Sequence, residues 1–414
     1  MVDLLAYRTI TPVKNTNPNR RGILRPKQVR DANSAVVLQL LRRFDRISRA
    51  DLARRSGLSE GTVSRIVSGL REQQLVSEVG AENSTGGRPA TRLQLSDIPR
   101  AIGIEIQNWE TRFAVASTRG TLIETVAFRT PATPEQTVEM IATQVRAYCQ
   151  TYGRSSMHGL GVTARGIVNS HTGVVELGNA PGWVKVPLQA MLEAATSLPV
   201  HIENDVRAAA LAEYNYTNVG EHAPHCMLYA RVDEGVGVGL ILNGELYTGS
   251  SMAAGEFGQM VIADDGGATR HDRPGSLEQL VSNTAVCERF AAAQGKGSNA
   301  TTADSAAKVR RICQRATDGD EIADAVIRKT ARYLAIGIMN VAWGLDPEII
   351  VLNATLKAVW PMLSEALQSQ IPDAADWPAL RRLRIQRSAL GEQGTLIGAA
   401  TLAFAPLFQL DRAG

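Results

Sequence analysis

The chain has 414 residues, 44% of them apolar, with 44 Lys+Arg against 41 Asp+Glu. That length suits two or three domains, and the composition supplies globular cores, which excludes a disordered or fibrous chain. No apolar run approaches the ~18 residues of a membrane helix, and Met1 to Arg20 lacks the apolar core of a signal peptide. The four cysteines (Cys149, Cys226, Cys287, Cys313) stand far apart with no metal spacing, so no disulfide framework and a reducing cytoplasm are expected.

Charge divides the chain. Residues 1–98 hold 17 Lys+Arg against 9 Asp+Glu (net +8), leaving 27 against 32 (net −5) for the rest. A basic front and a mildly acidic remainder fit nucleic-acid binding at one end and another task at the other. Residues 11–30, TPVKNTNPNRRGILRPKQVR, are basic and rich in Pro and Asn. They read either as an arm touching phosphate or as a plain leader, and 1–30 is expected to be flexible.

Residues 48–74 spell a helix-turn-helix. Ser48 caps a short helix, with Asp51 in its first turn and Leu52 and Ala53 as its apolar contact, and Gly57 permits the turn. Ser59 caps a second helix whose Val63, Ile66, Val67 and Leu70 share one face. The opposite face carries Thr62, Ser64, Arg65 and Ser68, small polar groups and one arginine without an acid, as a major-groove reading helix needs. An ordinary helical hairpin is the plainer alternative. Residues 75–79 and 91–95 then alternate as strands around a glycine-rich tip holding Arg88, which reads as a wing able to touch phosphate or enter a minor groove. The expected base readers are Thr62, Ser64 and Arg65. Ser59 and Arg49 are expected on phosphate, and Arg88 on the wing.

Beyond Ile98-Pro99 strands and helices alternate. Strands are expected at 101–106, 113–116, 160–162, 200–202, 227–232, 238–242 and 348–352. Helices are expected with Val138, Ile141, Val145 and Tyr148 on one face, from Asp205 to about Tyr214, and from Glu321 to Trp343. Two mixed α/β lobes with a cleft between them are the economical arrangement.

Several fragments here resemble the ROK family of sugar kinases and sugar-responsive repressors. They are Glu203-Asn204-Asp205, VGVGLILNGELYTG (236–249), AAGEFGQM (253–260), Gly275-Ser276-Leu277-Glu278, and Leu390-Gly391 through Gly398-Ala399-Ala400. The similarity covers about residues 99–405, and a winged helix-turn-helix before it looks like the repressor branch. The resemblance implies an α/β fold: an N-terminal winged helix-turn-helix (31–98) followed by a two-lobed actin-like, hexokinase-like domain (99–414) for effector binding and oligomerisation. It also implies that Asn204, Asp205, Glu256 and Glu278 bind sugar, that Asp205 matches the kinases' general base, and that Gly166 lies in a loop beneath the ring. Carboxylates and an amide suit a polyol. Without that resemblance, Asn204 and Asp205 would read as turn and cap residues, and Glu256 and Glu278 as solvated helix-end charges.

The departures from the family matter as much. Its Asp-x-Gly-Gly-Thr phosphate turn appears as Glu105-Ile106-Gln107-Asn108-Trp109, Asp233-Glu234 precedes the second phosphate region, and an adenosine-side glycine pair appears as Asn353-Ala354. Phosphoryl transfer depends on positioning and neutralising phosphate, so no catalysis and no cofactor are expected. Where relatives carry a zinc-binding histidine and cysteines, this chain has Gln259 and Ala268-Thr269-Arg270-His271-Asp272-Arg273, so no zinc is expected, and Gln259 is a further sugar contact. The expected protein is a sugar-controlled repressor of carbohydrate genes, binding an operator as a homodimer, with pairing into tetramers left open. An active sugar kinase with an accessory DNA-binding domain, and a regulator answering to another metabolite or a protein partner, are the alternatives.

Overall fold

The computed structural model describes residues 26–80, 91–217, 223–263, 274–297, 302–370 and 383–408. The front unit is built of α1 (Pro26–Arg43), β1 (Ile47–Ser48), α2 (Arg49–Ser56), α3 (Glu60–Glu72), β2 (Val76–Val79) and β3 (Arg92–Leu95). Both expected caps form: the Asp51 amide donates to Ser48 Oγ at 3.1 Å and the Thr62 amide to Ser59 Oγ at 3.2 Å. Gly57 ends α2 with φ 69°, a conformation open to glycine. Helix α1 was not anticipated. It starts inside the segment read as a flexible arm, so that expectation is corrected from residue 26 onward, while 1–25 lie outside the described residues. Its Val36, Val37, Leu40 and Leu41 are buried, an apolar face that the sequence reading had passed over.

The first lobe comprises β4 (Arg100–Ile106), β5 (Glu110–Ser117), β6 (Leu122–Arg129), α4 (Pro134–Tyr152), β7 (Met157–Ala164), β8 (Gly166–Asn169), β9 (Val174–Gly178), β10 (Val184–Val186), α5 (Leu188–Thr196), β11 (Val200–Asn204) and α6 (Asp205–Thr217). The second comprises β12 (Cys226–Val232), β13 (Val236–Leu242), β14 (Glu245–Tyr247), α7 (Leu277–Val281), α8 (Asn283–Ala293), α9 (Thr302–Thr317), α10 (Glu321–Leu345), β15 (Ile349–Ala354), α11 (Trp360–Gln368) and β16 (Arg384–Arg387). Helix α12 (Gly394–Phe408) closes the chain's described part.

The two large sheets share one plan. Their orders are β6-β5-β4-β7-β11 and β14-β13-β12-β15-β16, each an antiparallel meander followed by two parallel strands. Two helices cross between them. Helix α6 leaves the first lobe and packs on β13 and β12, whereas α12 leaves the second lobe and packs on β4 and β7. The helices also pack on each other, and glycine allows this closeness. A Cβ at Gly398 would overlap the backbone of Ala208, and one at Gly161 the carbonyl of Ala399.

Each lobe has its own core, and α10 buries the expected Val326, Ile327, Leu334, Ile338 and Val341. The front unit does not stand apart. Val36, Val37, Leu40 and Leu41 of α1 share one apolar cluster with Ala400, Ala403, Phe404 and Phe408 of α12. A change of composition near residue 98 therefore coincides with no break in packing.

Candidate functional site

The reading helix presents the expected surface. On α3, Val63, Ile66, Val67 and Leu70 are buried, while Ser64, Arg65 and Ser68 are exposed and Thr62 is half-buried. Ser59 Oγ lies 2.9 Å from Thr62 Oγ1, so the cap and Thr62 form one polar edge. Arg49 differs from expectation. Its Nη2 is 2.7 Å from Glu78 Oε1 on β2, and Arg71 Nη1 reaches the same oxygen at 3.0 Å. Hydrogen bonding from Arg49 outweighs desolvation and, with smaller help from the charges of Arg71 and Arg49, holds the Glu78 carboxyl below its ordinary range. A pair of such exposure is worth about 0–1 kcal/mol, so phosphate can compete for Arg49. Glu78→Gln should free both arginines, tighten binding to operator DNA about two- to fivefold and steepen its salt dependence by about one phosphate contact. A titration of affinity against salt checks this, and an unchanged slope would remove Arg49 and Arg71 from the interface. Arg88 lies outside the described residues.

In the cleft, β8 and the start of α6 bring three expected residues together. Gly166 has φ +103°, and a Cβ there would collide with Leu177 O, so glycine is required. Its carbonyl accepts from Asn204 Nδ2 at 3.0 Å. Asn204 Oδ1 accepts from the Val206 and Arg207 amides at 2.9 and 3.1 Å, which makes Asn204 the cap of α6. The capping role first weighed for Asp205 thus falls one residue earlier. Asp205 opens the helix and is 5% exposed.

From the second lobe, Glu278 at the start of α7 accepts from the Val236 amide at 2.9 Å, seated between Gly235 and Gly258. Glu256 is open to solvent at the cleft wall, and its carboxylate has no hydrogen-bond partner among the described residues. The surrounding walls still raise its carboxyl above the usual range by desolvation, with the nearby charge of Glu278 adding to this. Gln259 follows on the same turn, its amide donating to Glu256 O at 3.1 Å, and its side chain is exposed.

Arg165 and Arg231, which the sequence reading did not single out, complete the arrangement. Arg231 on β12 reaches Asp205 Oδ2 at 3.0 Å, Asp233 Oδ2 at 2.7 Å and Thr395 Oγ1 at 3.3 Å. Arg165, just after β7, approaches Asp205 at 3.5 Å, Asp233 at 3.4 Å and Glu234 at 2.5 Å. The acids of the 233–234 turn, expected to repel a nucleotide as bare charges, are therefore ion-paired, and they tie the first lobe to the second. Burial alone would raise the Asp233 carboxyl, yet Arg231 and Arg165 outweigh it and hold it below the ordinary range. The only hint in the sequence was position: one arginine precedes Gly166 and the other stands two residues before Asp233.

The remaining phosphate-side positions are also filled by the chain itself. Gln107 Nε2 donates to Glu105 Oε1 at 2.7 Å and Arg112 Nη1 to Glu105 Oε2 at 3.0 Å. Glu105 is 2% exposed, and its carboxyl is raised by burial against the pull of Arg231 and Arg112. Trp109, where relatives carry a hydroxyl, is 60% exposed. Asn353 Nδ2 donates to Tyr229 OH at 2.9 Å and Gly391 O at 3.0 Å. The Asp205 carboxylate is thus engaged by two guanidinium groups. The segment holding His271 lies outside the described residues. Among the described residues no cluster of His, Cys, Asp and Glu forms a metal site, the four cysteines are free thiols, and no helix is long and apolar enough to cross a membrane.

A winged helix-turn-helix in front of two lobes related by a common sheet plan defines a DNA-binding regulator built on a sugar-kinase-like frame. The ROK family signature matches residues 101–405, and a winged helix-turn-helix DNA-binding signature matches residues 31–77. The chain belongs to the ROK family. It is 24% identical to the xylose repressor of Bacillus spizizenii over 379 residues, spanning 90% of this chain and 95% of that one. It is 25% identical to the DNA-binding transcriptional dual regulator NagC of Escherichia coli over 373 residues, spanning 88% and 91%. Among solved structures, a ROK family transcriptional regulator homologous to E. coli MLC matches with TM-score 0.75 and 23% identity, covering 92% of this chain and 97% of that one. A ROK family glucokinase from Streptomyces griseus matches with TM-score 0.61 and 23% identity, covering 74% and 99%. The regulator extends over the front unit as well as the lobes, whereas the kinase covers a smaller share of this chain.

Proposed function

We propose that the protein is a sugar-responsive transcriptional repressor of carbohydrate genes, acting as a homodimer without kinase activity. One observation carries this reading. A polar cleft of Gly166, Asn204, Asp205, Glu256 and Glu278 is retained while the phosphate side is filled by the chain's own ion pairs. The names of two similar proteins, a xylose repressor and NagC (its counterparts in other strains are called N-acetylglucosamine repressors), direct the first ligands to try: pentoses and N-acetylhexosamines. A dimer would set two reading helices in successive major grooves of a near-palindromic operator.

Calorimetry against sugars, amino sugars and sugar phosphates tests the reading. Glu256→Ala should weaken the bound sugar at least about tenfold, or 1.4 kcal/mol, and leave operator binding intact. Affinity should also depend on pH. A sugar hydroxyl donates more strongly to Glu256 when the carboxyl is ionised than when it is protonated. Affinity is therefore full above its raised pKa and falls as pH drops through that value, beginning higher than the ~4.3 of an ordinary glutamate. A profile that stays flat down to the ordinary glutamate pKa of about 4.3, or sugar-dependent ATP turnover, would contradict this function.

A further inference from the structure

Helices α6 and α12 both begin at the cleft and both end at the reading head. Asp205 is the first residue of α6, and Thr395 is the second of α12. Arg231 holds the two starts together, at 3.0 Å from Asp205 and 3.3 Å from Thr395. Their far ends lie about 20 Å away, the length of 13 to 15 helical residues.

Those far ends meet the front unit through specific contacts. Phe408, the last residue of α12, has its carbonyl bound by Gln39 Nε2 of α1 at 2.6 Å and its ring 4.1 Å from the Arg42 guanidinium. Near the end of α6, Tyr216 OH donates to Thr118 O at 3.4 Å, lies 3.3 Å from Thr401 Oγ1, and rests its ring on Gly120. The turn at 118–120 then grips the head from the other side. Thr118 Oγ1 donates to Ser96 O at 2.5 Å, and Arg119 pairs with Asp45 at 3.5 Å. Arg42 lies beside Tyr214 and Tyr216. Between the two ends there is no slack, because Gly398 seats α12 against the backbone of Ala208 on α6. Close-packed helices of this kind move as a unit and shift between discrete positions.

We propose that α6 and α12 form a two-helix lever that carries the state of the cleft to the reading head, with Tyr216 as its bearing on the seam. The proposal rests on the sugar-response reading for its purpose but not for its mechanics. A ligand hydrogen-bonding Asn204 and Asp205 has to compete with Gly166 O and with both guanidinium groups. Binding therefore acts directly on the start of α6. Tyr216 is a positioning residue: it touches no ligand and transmits through Thr118.

Hydrogen–deuterium exchange on the full chain, without DNA or sugar, tests the lever. Asp205→Asn perturbs the cleft end, and Tyr216→Phe keeps the ring on Gly120 while removing its hydroxyl. Sites so far apart should act independently unless something rigid joins them. Asp205→Asn is expected to change exchange at residues 42–46, 96–98 and 117–120 by about threefold or more, and by less than about twofold when Tyr216→Phe is also present. If Asp205→Asn does not fold, Thr395→Val perturbs the same end through α12. Cleft amides that respond while the seam stays still would overturn the lever, as would an undiminished seam response with Tyr216→Phe. A coupled seam in a protein that binds none of the sugars tried would leave the lever standing and sink the sugar reading alone.

Discussion

Arg231→Met should lower stability by about 3–5 kcal/mol, the usual consequence of removing one partner from a buried ion-pair cluster. Arg231 is 13% exposed at its side chain and neutralises both Asp205 and Asp233. Its own charge is secured because Asp233, Asp205 and Glu105 together outweigh its burial. Methionine fills similar volume but leaves both acids to the longer contacts of Arg165 alone. For lobes of this size the melting temperature should fall by roughly 6–15 °C, and thermal unfolding followed by calorimetry would measure it.

The pH dependence should separate this cause from simple misfit. In the unaltered chain Asp233 has a folded pKa below its unfolded value. Its contribution is present above about pH 3.9 and is lost as pH falls through the folded value. Without Arg231, only Arg165 is left to oppose the burial that raises Asp233. The deficit of the Arg231→Met protein should then shrink on acidification from pH 7 to pH 5. A deficit that is constant with pH would point to packing alone.

Val67→Asp should abolish operator binding while sparing the cleft. Val67 is 0% exposed, packed on α3 among Leu52, Val63, Leu70 and Leu93. An unpaired carboxylate there costs several kcal/mol, comparable with the roughly 3–10 kcal/mol that a unit of some 70 residues commands. Operator affinity should fall at least about 100-fold, or 2.7 kcal/mol. The lobes keep the cores on their two sheets, so sugar binding should survive, its affinity changed by no more than about the tenfold coupling expected between head and cleft. Limited proteolysis should at the same time cut within residues 26–95 and leave the lobes whole.

What was legible in the sequence was what local patterns encode. The caps Ser48 and Ser59, the stripe Val63-Ile66-Val67-Leu70 and the turn glycine Gly57 follow from spacing and chemistry within a dozen residues, and the structure has them. The run Val326 to Val341 similarly declared one buried face of α10. Helix α12 did not declare itself, because it is buried nearly all round and GTLIGAATLAFAPLF shows no polar face to set a period. Helix α1 was missed because its apolar residues sit behind a basic, proline-rich leader that invited a reading of disorder.

In the cleft, Asn204, Asp205, Glu256 and Glu278 came from family resemblance rather than from any local rule. Arg165 and Arg231 came from neither. Apart from Arg231–Asp233, two residues apart, they act on acids 26 to 69 residues away in the chain, and such pairings exist only once β7, β12 and the start of α6 are side by side. The continuity of the head's core with α12 is equally non-local. It joins Val36 to Phe404, two residues at opposite ends of the polypeptide.

These features together describe a DNA-binding regulator whose Arg165 and Arg231 are ion-paired across the cleft and whose polar cleft is joined to its winged helix-turn-helix by packed helices. The most direct test is a binding titration of the protein on the duplex upstream of its own gene, with and without pentoses and N-acetylhexosamines. One of these sugars should weaken operator binding at least about tenfold, a coupling of 1.4 kcal/mol, and Glu256→Ala should erase that response without altering affinity in its absence. Operator affinity indifferent to every sugar, or a response that survives in Glu256→Ala, would contradict the account.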